Sequence, residues 1–166
     1  MPSSYTAPGL EEADAAKVRD SLQERLIALI DTALTLKHIH WNVVGPSFIG
    51  VHEMIDPQYA EVSAMVDAMA ERIATLGGQP LGTAGAVVAQ RDWEDYKLNR
   101  ALVHEHLDAL DNVYVGLIED HRKAIDTASD IDPVTEDLLI GQTSQLELFH
   151  WFVRAHLEDK AGNLDK

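Results

Sequence analysis

The sequence contains no cysteine and little positive charge. The first absence excludes disulfides, a thiol nucleophile, a cysteine-ligated zinc ion and an iron–sulfur cluster. Lys and Arg number 13 against 28 Asp and Glu, a formal net charge of −15. Such a surface repels phosphate backbones and favours cations as partners. No uncharged apolar run reaches the length of about 18 residues that a membrane-spanning helix needs.

The sequence also shows no secretory signal and no sign of a division into several domains. The segment MPSSYTAPGLEEADAAK has neither a basic start nor an apolar core, so we expect no secretory signal. We therefore expect a cytoplasmic location, with the nucleoid as a second candidate compartment. The 166 residues, 46% hydrophobic and 25% charged, have the balance of an ordinary globular domain. No repeat or linker divides them, so we predict one domain over 1–166 with short tails.

Helix breakers are sparse, and apolar residues recur at spacings of three and four between them. These stripes run through Leu22, Leu26, Leu29, Ala33 and Leu36; Val51, Ile55, Val62, Met69 and Ile73; Val103, Leu107, Leu110, Tyr114 and Leu117; and Leu139, Leu146, Phe149 and Val153. Four amphipathic helices of about 25–30 residues predict an all-α four-helix bundle. Asp132 before Pro133 predicts the N-cap and first position of the fourth helix.

The connection between the second and third helices, about 78–95, is too long for a tight turn. It must cross the bundle or contain a short helix, for which the segment Trp93–Tyr96 is a candidate. A long crossover at this place is typical of the ferritin-like arrangement of a four-helix bundle.

Two histidines flank the first predicted turn. His40 lies near the end of the first helix and His52 near the start of the second, each about six residues from Gly45-Pro46. At about 1.5 Å per residue, both side chains lie roughly 9 Å from the bend of an antiparallel hairpin. We therefore expect the two imidazoles to approach each other.

Acidic residues follow His52 along the second predicted helix. His52 and Asp56 are four residues apart, as are Asp67 and Glu71, so each pair shares a helix face. Asp56 and Asp67 are separated by roughly 16 Å along the axis, too far for one metal centre. A second copy of the helix across a two-fold axis would place Asp67 and Glu71 opposite the first pair. The spacing therefore predicts metal sites shared between two chains.

The ligands of such a site would be two imidazoles and three carboxylates, from His40, His52, Asp56, Asp67 and Glu71. This mixture suits Fe(II), Mn(II) or Zn(II), and the absence of sulfur argues against Cu(I). The competing interpretation is a solvated acidic helix face, although like charges four residues apart slightly destabilise a helix.

Other polar patterns in the sequence are weaker evidence for a metal or catalytic site. The pair Glu147 and His150 matches one Glu-x-x-His element of larger di-iron bundles. Those bundles need two such elements and two further Glu residues, so we interpret the match as chance. His38 and His40 lie two residues apart on different helix faces and cannot serve one site. His121 lies on an apolar stripe, which predicts a hydrogen-bonded core histidine.

The run KHIHWNVVGPSFIGVHEMID at 37–56, followed by Asp67 and Glu71, closely resembles the Dps family of mini-ferritins. The similarity covers most of the chain, including Leu-Gly-Gly at 76–78 and Phe-His-Trp-Phe at 149–152. It implies a hollow homododecamer of ferritin-like four-helix subunits. It also implies that Fe(II) is oxidised, preferably by hydrogen peroxide, and stored as ferric mineral.

The resemblance assigns further roles to particular residues. The inter-subunit ferroxidase centre would use His40, His52 and Asp56 of one chain with Asp67 and Glu71 of its partner, cycling Fe(II)/Fe(III). Trp41 would intercept stray oxidising equivalents, with simple packing as the alternative. Family members line a three-fold iron pore with acidic residues at the junction of the last two helices. The corresponding residues are Asp130, Asp132, Glu136 and Asp137.

One departure from the family concerns DNA. Family members that bind DNA usually carry a basic tail, whereas residues 1–16 contain no Lys or Arg and AHLEDKAGNLDK is acidic overall. We therefore expect direct DNA binding to be weak or absent, with magnesium bridging as an exception. A DNA-coating nucleoid protein is accordingly disfavoured. A metal-assisted hydrolase is the remaining alternative, because His and carboxylate ligands with open positions can activate water.

Overall fold

A computed structural model describes residues 7–158, in which five helices dominate. The helices are α1 (Glu12–Asn42), α2 (Phe48–Thr75), α3 (Ala84–Gln90), α4 (Val103–Ser129) and α5 (Pro133–Leu157). The α1–α2 and α4–α5 hairpins pack together, principally through α1 and α4. This arrangement confirms the predicted four-helix bundle with an extra helix. No helix in residues 7–158 has the length and apolarity needed to cross a membrane.

The apolar stripes of the four long helices meet in one core. Leu22 and Leu36 of α1, Met69 of α2 and Leu110 of α4 are fully buried. Burying one such side chain contributes about 1.5–3 kcal/mol to the free energy of folding. The burial of all four apolar stripes together therefore stabilises helices that would be only marginally stable alone. Asp132 occupies the N-cap position of α5 and Pro133 its first turn, as predicted.

The short helix in the crossover lies earlier than expected. It spans Ala84–Gln90, and the Thr83 hydroxyl caps it by accepting a bond from the amide of Ala86. The prediction of a helix at Trp93–Tyr96 was wrong. The indole of Trp93 instead donates a 2.7 Å bond to Asp31 of α1, which holds this segment against the bundle without regular secondary structure.

A two-residue parallel ladder joins the end of the crossover to the turn after α1. β1 (Val43–Val44) pairs with β2 (Ala101–Leu102). The close approach requires glycine at 45, which has φ of 99° and where a Cβ would lie 2.9 Å from Leu102. Since this turn also orients the start of α2, the ladder fixes the region between His40 and His52.

Candidate metal centre

The imidazoles of His40 and His52 stack face to face. Their ring centroids are 3.7 Å apart with 24° between the planes. Nδ1 of His40 lies 3.0 Å from the carbonyl oxygen of His52, and Nδ1 of His52 lies 2.9 Å from the carbonyl oxygen of His40. A carbonyl only accepts, so both Nδ1 atoms donate and each Nε2 keeps its lone pair. The pair is thus set in the tautomer that binds metal.

Asp56 lies beside this pair and is held by a lysine. Lys37 Nζ donates a 2.9 Å bond to its carboxylate, and His40 Nδ1 is 3.2 Å away. The Lys37 hydrogen bond, aided by the charges around it, lowers the pKa of Asp56. Sequence reasoning missed Lys37, although its place three residues before His40 puts both on one helix face.

Asp67 and Glu71 lie further along α2 and are both exposed. Within residues 7–158 neither carboxylate has a side-chain hydrogen bond or an ion pair. Eleven residues separate Asp67 from Asp56, roughly 16 Å of helix. Accordingly, the described part of one chain contains no cluster of three or more His, Asp or Glu able to hold a metal ion. His40, His52 and Asp56 are neighbours in one chain without forming such a cluster, and Asp67 and Glu71 lie apart from them.

Aromatic residues surround the histidine pair. The ring of Phe48 lies 5.0 Å from that of His52. Trp41, next to His40, is 71% exposed although it is a large apolar side chain. Lys37 Nζ is 5.8 Å from the Trp41 ring and 5.5 Å from that of Tyr59, within the range of a cation–π interaction.

The acidic residues between α4 and α5 divide into two groups. Asp130 and Asp137 are exposed and Glu136 is half-buried. Asp132 is buried, and Arg72 of α2 donates a 2.5 Å bond to its carboxylate while Thr135 donates another. Burial alone would raise the pKa of Asp132, but these hydrogen bonds outweigh it and the pKa is lowered. The charge of Asp132 is therefore balanced within the chain by Arg72, the residue that follows Glu71 in the sequence.

The remaining histidines have separate surroundings. Nε2 of His38 donates a 2.7 Å bond to the carbonyl of Leu98, away from His40, as expected for different helix faces. His121 is fully buried and donates to the carbonyl of Leu117, which confirms the core interpretation. His150 pairs with Asp111 at 2.7 Å whereas Glu147 pairs with Arg122, so they share no site.

Comparisons with known proteins show which chains this one resembles. A family model described as a ferritin-like domain matches residues 19–161. The "DNA protection during starvation protein" of Mycolicibacterium smegmatis is 56% identical over 162 residues, which cover 98% of this chain and 88% of that protein. The "Fine tangled pili major subunit" of Haemophilus ducreyi is 46% identical over 162 residues, with 98% and 86% covered.

Solved structures show the same fold. The tetragonal form of Mycobacterium smegmatis Dps superimposes with a TM-score of 0.95 at 56% identity and covers 98% of each chain. DpsA14 from Streptomyces coelicolor also has a TM-score of 0.95, at 57% identity, and covers 98% of this chain and 96% of its own. The similarity extends over nearly the whole chain and therefore includes every element that carries the histidine pair and the acidic residues.

Proposed function

Since this chain belongs to the Dps family of ferritin-like proteins, we propose that it oxidises Fe(II) with hydrogen peroxide at centres shared between two subunits. The ferric product would be stored inside a hollow homododecamer. The observation that carries the proposal is the stacked histidine pair beside Asp56, which presents two Nε2 lone pairs and one carboxylate. Imidazole and carboxylate together suit Fe(II).

The second half of each centre would come from the partner subunit. Asp67 and Glu71 are exposed on α2 and too far from Asp56 to serve the same ion. An isologous contact of α2 with its copy would place these carboxylates opposite the histidine pair twice, once on each side of the axis. Self-association is therefore a condition of activity in this proposal.

The donor set favours oxidation of the bound substrate iron. Carboxylate oxygens are hard ligands and stabilise Fe(III) more than Fe(II). Two Fe(II) ions give one electron each to hydrogen peroxide, which takes up two protons and leaves as two water molecules, with two Fe(III) as product. Reduction by two electrons at a paired site releases no hydroxyl radical. Trp41, which is exposed and next to His40, would intercept equivalents that escape this step.

Lys37 has a defined part before iron arrives. Its ammonium group holds Asp56 ionised and oriented at 2.9 Å. Iron and this ammonium group then compete for the same carboxylate, so Lys37 must turn away when the metal binds. The exposed Asp130 and Asp137 and the half-buried Glu136 would form the acidic pore for entering iron, and Asp132 would support it through Arg72.

A subunit-mixing experiment tests the shared centre. His52→Ala removes one half of the site and Asp67→Ala removes the other, so each variant alone should oxidise Fe(II) slowly. When the two are unfolded together and reassembled, mixed pairs contain one site with both halves intact. We expect about a quarter of the wild-type sites, and of the rate with peroxide, to return.

The matched control mixes His52→Ala with Asp56→Ala, which damage the same half. No mixed pair then contains an intact site, so no rate should return. If both mixtures recover equally, or neither recovers although both assemble, the centre is not shared between chains. Sizing after turnover adds a second readout, since stored iron must elute with the assembled protein.

A further inference from the structure

A tyrosine and a buried histidine outside the metal centre form a close hydrogen-bonded pair. Tyr96 lies in the part of the crossover between α3 and β2. Its hydroxyl is 2.8 Å from Nδ1 of His106 in α4. The two rings are nearly parallel, at 6° with centroids 6.0 Å apart. His106 is completely buried, whereas Tyr96 is half-buried and reaches the surface.

The proton of this hydrogen bond resides on the phenol. Burial lowers the pKa of His106, so the ring is neutral near pH 7 and can offer a nitrogen lone pair. The same environment raises the pKa of Tyr96, which therefore keeps its proton. The hydroxyl lies 2.8 Å from Nδ1 and makes a longer, 3.4 Å bond to the carbonyl of His106. In the tautomer with the ring proton on Nε2, the hydroxyl donates to Nδ1.

This partner distinguishes Tyr96 from the other tyrosines in residues 7–158. Tyr114 donates at 2.7 Å to the side-chain oxygen of Gln58, and an amide is no proton acceptor. Tyr59 is exposed and faces the ammonium group of Lys37. A phenol that loses an electron becomes a strong acid, so its oxidation is easiest where a base already holds the proton. Among the tyrosines of residues 7–158, only Tyr96 has a basic nitrogen in that position.

Tyr96 also lies near the metal centre. Its ring meets the edge of His38 with centroids 5.9 Å apart, and His38 is two residues from His40. Tyr96, His38 and Trp41 line one surface cavity of about 370 Å³ between α1, α3 and the crossover. Aromatic side chains therefore extend from the residue next to His40 to the Tyr96–His106 pair.

We propose that Tyr96 and His106 form a redox-active pair that takes up single oxidising equivalents escaping from the iron centre. The oxidant is a hydroxyl radical, formed with hydroxide when a single Fe(II) instead of a pair reduces hydrogen peroxide, or the indole radical cation that this radical generates at Trp41. Tyr96 gives one electron to that oxidant, and its hydroxyl proton moves to Nδ1 of His106. The products are a neutral phenoxyl radical, an imidazolium ion and the reduced oxidant.

The pair is restored by the substrate. One electron from a further Fe(II) reduces the phenoxyl, and the proton returns from His106 to the phenolate oxygen. Over the cycle, one Fe(II), one hydroxyl radical and one proton become Fe(III) and water. His106 is the proton-accepting residue and does not touch iron. This inference rests on the proposed ferroxidase function for its source of oxidant.

The first test needs no iron. Azide radicals generated by pulse radiolysis oxidise tryptophan in the assembled, metal-free protein, and the indole and phenoxyl radicals are followed by their optical absorption. We expect the indole radical to decay as a phenoxyl radical rises. That rise should be lost in Tyr96→Phe and retained in the matched control Tyr59→Phe. In His106→Gln, whose amide accepts a hydrogen bond but no proton, the rise should be slower. The wild-type rise should slow in heavy water.

The second test uses Fe(II) and limiting peroxide with freeze-quenched electron paramagnetic resonance. A tyrosyl signal in wild type that is lost in Tyr96→Phe, at an unchanged rate of iron oxidation, supports the pair. A phenoxyl rise that persists in Tyr96→Phe overturns it, as does rapid iron oxidation without any signal from Tyr96. If wild type shows the phenoxyl rise under radiolysis but oxidises no iron, the ferroxidase proposal fails while the redox pair stands.

Discussion

The histidine pair illustrates what single residues contribute to the candidate centre. Equal distances of His40 and His52 from one turn predict their approach, and the structure places the rings 3.7 Å apart. The exchange of hydrogen bonds with each other's carbonyl could not be predicted, because it depends on ring rotation rather than on spacing. The Lys37–Asp56 contact was also missed, because the conformation of a long side chain, and therefore its partner, cannot be derived from sequence spacing.

A buried histidine makes a prediction about pH. Burial, together with the nearby Arg25 guanidinium, lowers the pKa of His121 to about 4. The unfolded chain therefore binds a proton more readily than the folded one between about pH 6.5 and 4. The stability that His121 contributes is complete above that range and is lost as the pH falls through it, by roughly 3 kcal/mol in all.

Thermal unfolding between pH 7 and 4 measures this effect. The melting temperature of wild type should fall over the interval, and the fall should be shallower in His121→Gln, which cannot titrate. The exposed His104→Gln is the control and should follow wild type. Parallel curves for all three proteins would show that His121 is not the group responsible.

Elements show where tertiary contacts override local sequence signals. The four long helices followed from periodic apolar stripes. The short helix did not, because Trp93–Tyr96 and Ala84–Gln90 are both short segments without strong periodicity. What separates them is a Thr83 cap on one and an indole bond to Asp31 on the other, and the second contact joins residues 62 positions apart. Only the Thr83 cap involves residues that are neighbours in the sequence, so only that contact could have been predicted from a local pattern.

The acidic junction between α4 and α5 yields a prediction at the same scale. Asp132 connects α5 to α2 through Arg72 and is buried, whereas Asp137 is exposed. Removing one member of a buried ion pair leaves its partner without compensation, so Asp132→Ala should lower the free energy of unfolding by about 3 kcal/mol. Asp137→Ala should change it by less than about 0.5 kcal/mol.

Urea unfolding of the two variants, paired with Fe(II) uptake at low ionic strength, separates the roles of the residues. We expect Asp137→Ala to remain stable and to take up iron more slowly than wild type. The opposite pattern, with Asp137→Ala unstable and Asp132→Ala unaffected, would contradict the division of this junction into a structural and a pore-lining part.

Charge determines the behaviour of the whole molecule toward nucleic acid. The net charge is −15, and residues 1–16 contain neither Lys nor Arg. Lys160 and Lys166 lie outside the described residues, among acidic neighbours in the sequence. Repulsion from the phosphate backbone should therefore prevent direct DNA binding at physiological salt.

A gel-shift titration in the presence of a chelator checks this expectation. Wild type should leave DNA unshifted, and added Mg²⁺ should restore part of the binding by bridging carboxylates to phosphates. A variant with Glu158→Lys, Asp159→Lys and Asp165→Lys is the positive control and should shift DNA without Mg²⁺. A clear shift by metal-free wild type would overturn the prediction.

The parallel ladder between Val43–Val44 and Ala101–Leu102 has a consequence for folding. It closes a loop of almost 60 residues with two pairs, and loop closure on that scale costs roughly 3–4 kcal/mol of chain entropy. A few backbone hydrogen bonds at about 1 kcal/mol each cannot offset this cost alone. The α1–α2 hairpin, whose contacts are closer in sequence, should thus form before the ladder does. The ladder therefore adds its hydrogen bonds to a turn that the hairpin has already closed, and the segment between His40 and His52, where the proposed iron site lies, should become rigid only when residues 101–102 dock on it.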